Sequence, residues 1–266
     1  MRKKKWTRAE IREKSRRGMY IIPSLFTVSN IFCGFYSMSS AIQGNFERAG
    51  ILIGIAMILD TLDGRIARMT HTSSQFGVQL DSLADAITFG VAPAVLCYQW
   101  AFFQYENRFI DRFGWIACFL FLICAVSRLA RFNVQTTGNP DKRYFTGMPT
   151  PAAAGFVAAY IYHFPERIAG EIWAVIAVAI MLVLAFLMVS RIRYRTFKDM
   201  NLRQPHSYRT IVLIALIIGF MAFDLKRALI TLSTVYALSG FVGIFTRKHS
   251  KPPEIPEQLE TPLNAT

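Results

Sequence analysis

The sequence predicts an all-α protein, a polytopic integral membrane bundle of about eight transmembrane helices. Of its 266 residues, 53% are hydrophobic and only 18% are charged. Soluble domains carry about 25% charged residues, so this chain has too few to cover a water-exposed surface. Eight apolar segments approach the roughly 20 residues that a helix needs to cross a bilayer. Their limits are 20–43, 49–69, 78–102, 113–133, 150–164, 168–190, 208–224 and 227–245.

Positive charge is distributed unequally between the two sides that these segments define. With the basic N-terminus in the cytoplasm, six of the 30 lysines and arginines fall on the outer side: Arg48, Arg108, Arg112, Arg167, Lys226 and Arg227. The positive-inside rule predicts this bias. We therefore expect both termini to face the cytoplasm and the protein to lie in the cell (inner) membrane. Membrane orientation and attraction to anionic lipid headgroups then explain the net charge of +13. Because the charge is explained in this way, we expect no nucleic-acid partner.

Composition divides the chain into three regions. Residues 1–19 form a basic cytoplasmic segment, 20–245 the membrane domain, and 246–266 a proline-containing tail that we expect to be disordered. The basic segment either lies as a short helix along the inner leaflet or is a disordered tail, and its pattern leaves both open. The four cysteines lie in apolar runs without the spacing of a disulfide framework or a zinc site, so we expect packing roles for them.

Four aspartates lie where the second and third predicted helices meet. The spacing of three, four and seven residues places one set on a single face of helix two: Asp60, Asp63, Gly64, Ala67 and Arg68. A spacing of four places a second set on one face of helix three: Gly77, Asp81 and Asp85. Because the connection between these helices is short and polar, we expect them to be antiparallel neighbours with their carboxylates close together.

A group of four carboxylates indicates a metal site. Like charges in a low dielectric do not all stay ionised by themselves, so either some carboxyls are protonated or cations lie among them. Aspartates without histidine or cysteine suit Mg²⁺ or Mn²⁺, and such a cluster predicts a two-metal site that clamps a phosphate during in-line displacement. Gly64, Ala67 and Gly77 either leave room for a phosphate-like group or allow close helix packing. Arg68 either meets a phosphate or is an orientation charge.

Residues 60–85 carry a resemblance to a known family. They read DTLDGRIAR, eight further residues and GVQLDSLAD, which matches every fixed position of D-x2-D-G-x2-A-R-x8-G-x3-D-x3-D. The chain thus resembles the CDP-alcohol phosphatidyltransferases. The resemblance implies a membrane enzyme that moves a phosphatidyl group from a CDP-linked lipid to an alcohol, releasing CMP, at a two-metal site. It also implies metal ligands at the four aspartates Asp60, Asp63, Asp81 and Asp85, and a base at Asp85.

Other segments resemble the phosphatidylserine synthase branch of that family. They are Pro23–Asn30, Asp81–Ala94, Ser127–Asn133 and Tyr144–Ala154. This branch implies CDP-diacylglycerol and L-serine as substrates, and glycerol 3-phosphate or inositol phosphate remains the alternative acceptor. Because relatives are dimers, the resemblance also implies a homodimer.

Polar residues on the first and fourth predicted helices are candidate substrate contacts. Arg128 and Arg131 either meet the serine carboxylate or are orientation charges. Thr27 and Asn30, three residues apart, either bond the nucleotide or bond a neighbouring helix. Intramembrane acids also mark ion pathways. A transporter would spread them through the bilayer depth, however, whereas these aspartates gather at one end.

Overall fold

The computed structural model describes residues 8–70, 75–103, 108–136, 144–190, 192–195 and 208–245. These residues form a helical bundle with one short pair of strands. The helices are α1 (Arg8–Ile42), α2 (Phe46–Thr70), α3 (Gln75–Asp85), α4 (Ala92–Ala101), α5 (Arg108–Thr136), α6 (Thr150–His163), α7 (Glu171–Val189), α8 (Tyr208–Phe223) and α9 (Leu225–Phe245). A π-helical turn over Ala86–Val91 joins α3 to α4.

The prediction of a helical protein is confirmed. Each predicted apolar segment coincides with one helix, or, for the third segment, with the continuous stretch that runs from α3 through the π turn into α4. The largest difference in bounds is at the N-terminus, where α1 begins at Arg8, inside the predicted basic segment. The residues around this start are mostly Arg, Glu, Lys and Ala, which are good helix formers. The tail 246–266 lies outside the described residues.

Four helical stretches in the described ranges are long and apolar enough to cross a membrane by length and composition. They are Leu25–Ile42, Gln75–Ala101, Arg108–Val134 and Glu171–Val189. Two further helices are short, since α6 has 14 residues and α8 has 16. The count of eight spans and the orientation of the termini therefore stay predictions.

A two-stranded antiparallel pair departs from the all-α expectation. Strand β1 (Tyr144–Thr146) pairs with β2 (Arg193–Arg195), and Phe145 lies opposite Tyr194. Strands of three residues are too short to show the alternation of apolar and polar residues that predicts a strand. Gly147 follows β1 with a φ of 83° and donates its N–H to the Ile192 carbonyl at 2.7 Å. This turn leads directly into the start of α6.

Small residues allow the helices to pack closely. Ala41, Ala49 and Ala56, on α1 and α2, are fully buried, as is common where membrane helices approach each other. The Ser37 hydroxyl donates to the Ala49 carbonyl at 2.9 Å and ties the same two helices together. The four cysteines are free thiols, three of them buried, in agreement with the packing role predicted for them. As a result, α1 lies along α2 and also contacts α3.

Candidate active site

The C-terminal end of α2 carries the first two aspartates. Asp60 is half-buried, and Asp63 is only 6% exposed. The Thr27 hydroxyl of α1 donates a 2.6 Å hydrogen bond to Asp63 Oδ2. Asp63 is thus held by a neighbouring helix, and Asp60 lies one turn earlier on the same face of α2.

Helix α3 carries the other two aspartates on one face. Asp81 and Asp85 are both half-buried, and Asp85 is the last residue of α3. Carboxylate oxygens of Asp60, Asp81 and Asp85 all lie within 4.8 Å of one another. We call these three residues the carboxylate cluster. Asp63 stands beside it and acts electrostatically on Asp81. The predicted neighbourhood of the two helix ends is therefore present, with three of the four aspartates in the tightest group.

The carboxylate cluster fits a hard divalent cation. Its donors are all oxygens, which Mg²⁺ and Mn²⁺ prefer. Partly buried carboxylates that close together repel one another, and bound cations remove that repulsion. Asp85 Oδ1 is buried and has no hydrogen-bond partner among the described residues, although buried polar atoms are nearly always paired. The donor set and this unpaired oxygen are what a metal ligand would show.

Asn30 lies on the α1 side of the cluster. Its side chain is 1% exposed and lies near enough to the Asp85 carboxylate to act on it electrostatically. Neither its Nδ2 nor its Oδ1 has hydrogen-bond geometry with any atom in the described ranges. Thr27, one turn earlier, directs its hydroxyl to Asp63 instead. The two predicted α1 contacts therefore serve different aspartates.

The structure separates the two candidate arginines of α5. The Arg128 guanidinium is near Asp85, and its Nη1 donates to Thr150 Oγ1 at 3.2 Å at the start of α6. Arg128 Nε is buried without a partner in the part of the chain that the structure describes. Arg131 is exposed. Of the pair, Arg128 lies against the site and Arg131 lies on the outside of the bundle.

The small residues of the motif have unequal surroundings. A Cβ atom added to Gly64 would meet no heavy atom within 4 Å among the described residues, so open space adjoins α2 there. Gly77 is half-buried on α3. The side chains of Ala67 and Arg68 lie outside the described residues. Both alternatives for the small residues, room for a phosphate-like group and close helix packing, stay predictions.

Three polar residues near the cluster were not predicted as site residues. Thr88, in the π turn, is fully buried and donates to the Asn30 carbonyl at 3.1 Å. Ser82 accepts a 2.9 Å hydrogen bond from Asn133 Nδ2 of α5. The only sequence signal for Thr88 is that it follows Asp85 by three residues in a run that is otherwise apolar.

An apolar cavity lies at the other end of the bundle. It has a volume of about 330 Å³ and is lined by aromatic residues of α4, α6 and α7, including Trp100, Tyr160 and Trp173. None of the four motif aspartates is among its lining residues in the described part of the chain. This cavity is therefore a feature separate from the carboxylate cluster.

Similar proteins agree with the motif. A CDP-diacylglycerol–serine O-phosphatidyltransferase from Helicobacter pylori is 37% identical over 232 residues, which are 85% of this chain and 88% of that protein. An archaetidylserine synthase from Methanothermobacter thermautotrophicus is 35% identical over 68% of this chain and 72% of its own length. A CDP-diacylglycerol–serine O-phosphatidyltransferase from Bacillus subtilis is 34% identical over 68% of this chain and 93% of its own length.

The family model for CDP-alcohol phosphatidyltransferases matches residues 20–190. This range contains the carboxylate cluster, Asp63, Asn30 and Arg128, and ends at the residue after α7. The match covers more than half of the chain, and the Helicobacter pylori relative aligns over most of both proteins. The protein therefore belongs to the CDP-alcohol phosphatidyltransferase family.

Proposed function

We propose that the protein transfers the phosphatidyl group from CDP-diacylglycerol to the hydroxyl of L-serine, giving phosphatidylserine and CMP. The observation that carries this proposal is the carboxylate cluster, whose oxygens lie within 4.8 Å of one another inside the family motif. Serine as the acceptor is supported by relatives named as serine phosphatidyltransferases, one of which aligns over 85% of this chain. The enzyme is thus a transferase of phospholipid biosynthesis.

We propose that two divalent cations, Mg²⁺ or Mn²⁺, are held by the cluster together with Asp63. Bound there, they would neutralise the diphosphate of CDP-diacylglycerol and the charge that develops on departing CMP. The all-oxygen donor set and the unpaired Asp85 Oδ1 support this assignment. Thr27 fixes one oxygen of Asp63 and so limits the directions in which its carboxylate can point.

Asp85 is the proposed general base. It takes the proton of the serine hydroxyl while the serine oxygen attacks the phosphorus that bears diacylglycerol, and the bond from that phosphorus to CMP breaks. Holding the hydroxyl in line beside this carboxylate supplies an effective concentration that free serine lacks. We favour a direct single displacement because the sequence shows no Ser/His/Asp or Cys/His arrangement for a covalent intermediate.

Arg128 is the proposed partner of the serine carboxylate. Its position near Asp85 supports this role, and the buried Nε is available for a planar anion in addition to the Nη1 bond to Thr150. Arg131 is exposed, which favours an orientation charge for it. We assign Asn30 to the Asp85 side of the site, while Gly64, Ala67, Arg68 and Gly77 remain proposed contacts of the nucleotide and phosphates.

The membrane setting is also proposed. Eight helices would cross the cell (inner) membrane, with both termini and the active site on the cytoplasmic side, and the membrane domain would occupy residues 20–245 between a basic segment and a disordered tail. The excess of Lys and Arg on one side supports the orientation. We further propose a homodimer, on the resemblance to dimeric relatives.

A radiolabelled-serine assay tests the proposed function. Full-length protein in lipid-containing micelles is given CDP-diacylglycerol, labelled serine and either Mg²⁺ or Mn²⁺, beside the Asp85→Asn variant. We expect wild type to form phosphatidylserine and CMP only with metal, and the variant to form neither. Labelled lipid from the variant at a near-normal rate would remove Asp85 as the base. Product from glycerol 3-phosphate or inositol phosphate, and none from serine, would replace the acceptor.

A further inference from the structure

We infer that Thr88 is a positioning residue for the reaction: it fixes the turn of α1 that carries Asn30 against the Asp85 carboxylate. Thr88 lies in the π turn that follows Asp85. The inference rests on the proposed function, since it assumes that Asp85 accepts the serine proton. It adds a residue that acts through its neighbours and touches no substrate.

The first support is a buried hydrogen bond between distant parts of the chain. The Thr88 hydroxyl donates to the Asn30 carbonyl at 3.1 Å, across 58 residues of sequence. Thr88 is 0% exposed and Asn30 is 1% exposed. A carbonyl oxygen has two lone pairs, so Asn30 can accept this bond and still serve the helical ladder of α1. Because water is excluded from both groups, no water molecule would replace the Thr88 hydroxyl as the donor to the Asn30 carbonyl.

The second support is the close approach of the two backbones at Gly34. A Cβ atom added there would lie 2.6 Å from Thr88 Oγ1 and 3.0 Å from Thr88 Cα. Such distances exclude any side chain at position 34 unless the helices move apart. Gly34 is one helical turn after Asn30, so Thr88 rests on the turn that begins at Asn30. Contact and hydrogen bond together fix the rotation of α1 relative to the π turn.

The third support is the π turn itself. Asp85 directly precedes Ala86–Val91, and the Ala92 N–H closes the turn by donating to the Ile87 carbonyl, five residues back. The extra residue of a π turn reorients the residues around it, and such turns are frequent at functional sites. The bond from Thr88 to α1 stabilises this turn from outside. The direction of the Asp85 carboxylate therefore depends on the hydrogen bond that Thr88, three residues later, makes with α1.

These three observations all bear on the position of the Asn30 side chain. It lies near the Asp85 carboxylate, and neither of its amide atoms has a hydrogen-bond partner among the described residues. If α1 rotates or the π turn relaxes, the amide leaves the carboxylate and the base loses its polar neighbour on that side. We expect this loss to slow the proton transfer and to leave serine and CDP-diacylglycerol binding nearly unchanged.

The test compares steady-state constants of full-length variants. Thr88→Val removes the hydroxyl and keeps the branched shape. We expect kcat for phosphatidylserine formation to fall about five- to tenfold, the effect of losing about 1 kcal/mol or slightly more. The KM for serine and for CDP-diacylglycerol should stay within about twofold. Thr88→Ser restores the donor and should recover most of kcat. Thr88→Cys, with a weak donor of similar size, should fall between them and serves as a second variant if Thr88→Val does not fold.

Ser37→Ala is the matched control. Ser37 is also fully buried, and its hydroxyl donates to a backbone carbonyl of a neighbouring helix, Ala49, at 2.9 Å. We expect a comparable loss of thermal stability and a wild-type kcat. A wild-type kcat in Thr88→Val, an equal loss of kcat in Ser37→Ala, or no recovery in Thr88→Ser would overturn the inference. Absence of phosphatidylserine from the wild type would instead contradict the proposed function, and the same comparison would then be made with the alcohol that it uses.

Discussion

The Thr27 hydroxyl donates a 2.6 Å hydrogen bond to Asp63 Oδ2 and joins helix α1 to the aspartate motif of α2. The two residues are 36 positions apart, and both are buried: Asp63 is 6% exposed and Thr27 is 4% exposed. A hydrogen bond to a charged acceptor is stronger than one between neutral groups. The orientation of Asp63 is therefore set by a helix that lies outside the motif.

Removing this bond should weaken metal binding. We expect Thr27→Val to raise the Mn²⁺ concentration for half-maximal activity about fivefold or more, because the Asp63 carboxylate is then free to turn and is no longer oriented as a ligand. Thr27→Ser should behave as wild type. Ser29→Ala is the control, since the Ser29 hydroxyl bonds the Leu25 carbonyl within α1. The measurement is the rate of phosphatidylserine formation across a Mn²⁺ titration, and an unshifted curve in Thr27→Val would contradict the prediction.

Chelation should abolish activity, and the carboxylate cluster should account for the bound metal. We expect EDTA to stop phosphatidylserine formation, and Mg²⁺ or Mn²⁺ to restore it. Asp60→Asn and Asp81→Asn should each lower Mn²⁺ binding, measured by electron paramagnetic resonance, since each removes a charged oxygen ligand. Asp111→Asn is the control, because Asp111 accepts a 2.8 Å bond from the Tyr98 hydroxyl away from the cluster. Equal binding by all three variants would place the metal elsewhere.

Arg128 and Arg131 should differ sharply in their effects. We expect Arg128→Lys to raise the KM for serine about tenfold, because an ammonium does not reproduce the planar pair of donors that a carboxylate meets. Arg131→Lys should leave both kcat and KM near wild type, because Arg131 is exposed. Initial rates over a serine titration give the comparison. If the KM for CDP-diacylglycerol rises instead, Arg128 serves the lipid phosphates and not the acceptor.

Gly147 should be intolerant of a side chain. Its φ is 83°, and an added Cβ atom would clash with the Met188 carbonyl oxygen at the end of α7. We expect Gly147→Ala to lower the thermal midpoint clearly, since an unfavourable φ alone costs about 1 to 3 kcal/mol. Gly54→Ala is the control. A Cβ atom at Gly54 would meet no atom within 4 Å among the described residues, and Gly54 lies in a helix, where alanine is preferred. Equal midpoints for the two variants would contradict this reading of the turn.

The proposed topology makes a separate prediction. With an even number of spans and a cytoplasmic N-terminus, green fluorescent protein fused after residue 266 should fluoresce, and alkaline phosphatase fused there should be inactive. The opposite pair of results would show that one predicted span does not cross the membrane. The short helices α6 and α8 are then the first candidates for a segment that does not cross, because they have 14 and 16 residues.

Much of the architecture follows from the sequence because helix formation and burial in lipid both depend on local composition. The apolar segments gave helices with nearly the predicted bounds. The spacing of the four aspartates predicted that their carboxylates would converge, and those of Asp60, Asp81 and Asp85 lie within 4.8 Å of one another. The strands β1 and β2 were not predicted, since three residues on each side pair only through contacts between distant parts of the chain.

The sequence by itself determined the helical membrane class, the acidic motif and the family, since each is encoded in residue type and spacing along one or two neighbouring helices. Only the tertiary structure decided which side chains lie beside that motif: Thr27 bonds Asp63, Asn30 lies near Asp85, and Arg128 lies inward while Arg131 lies outside. The physical reason is that rotation of one helix against another is set by packing and by buried hydrogen bonds between residues far apart in the chain. The spacing of residue types within one helix does not predict those contacts.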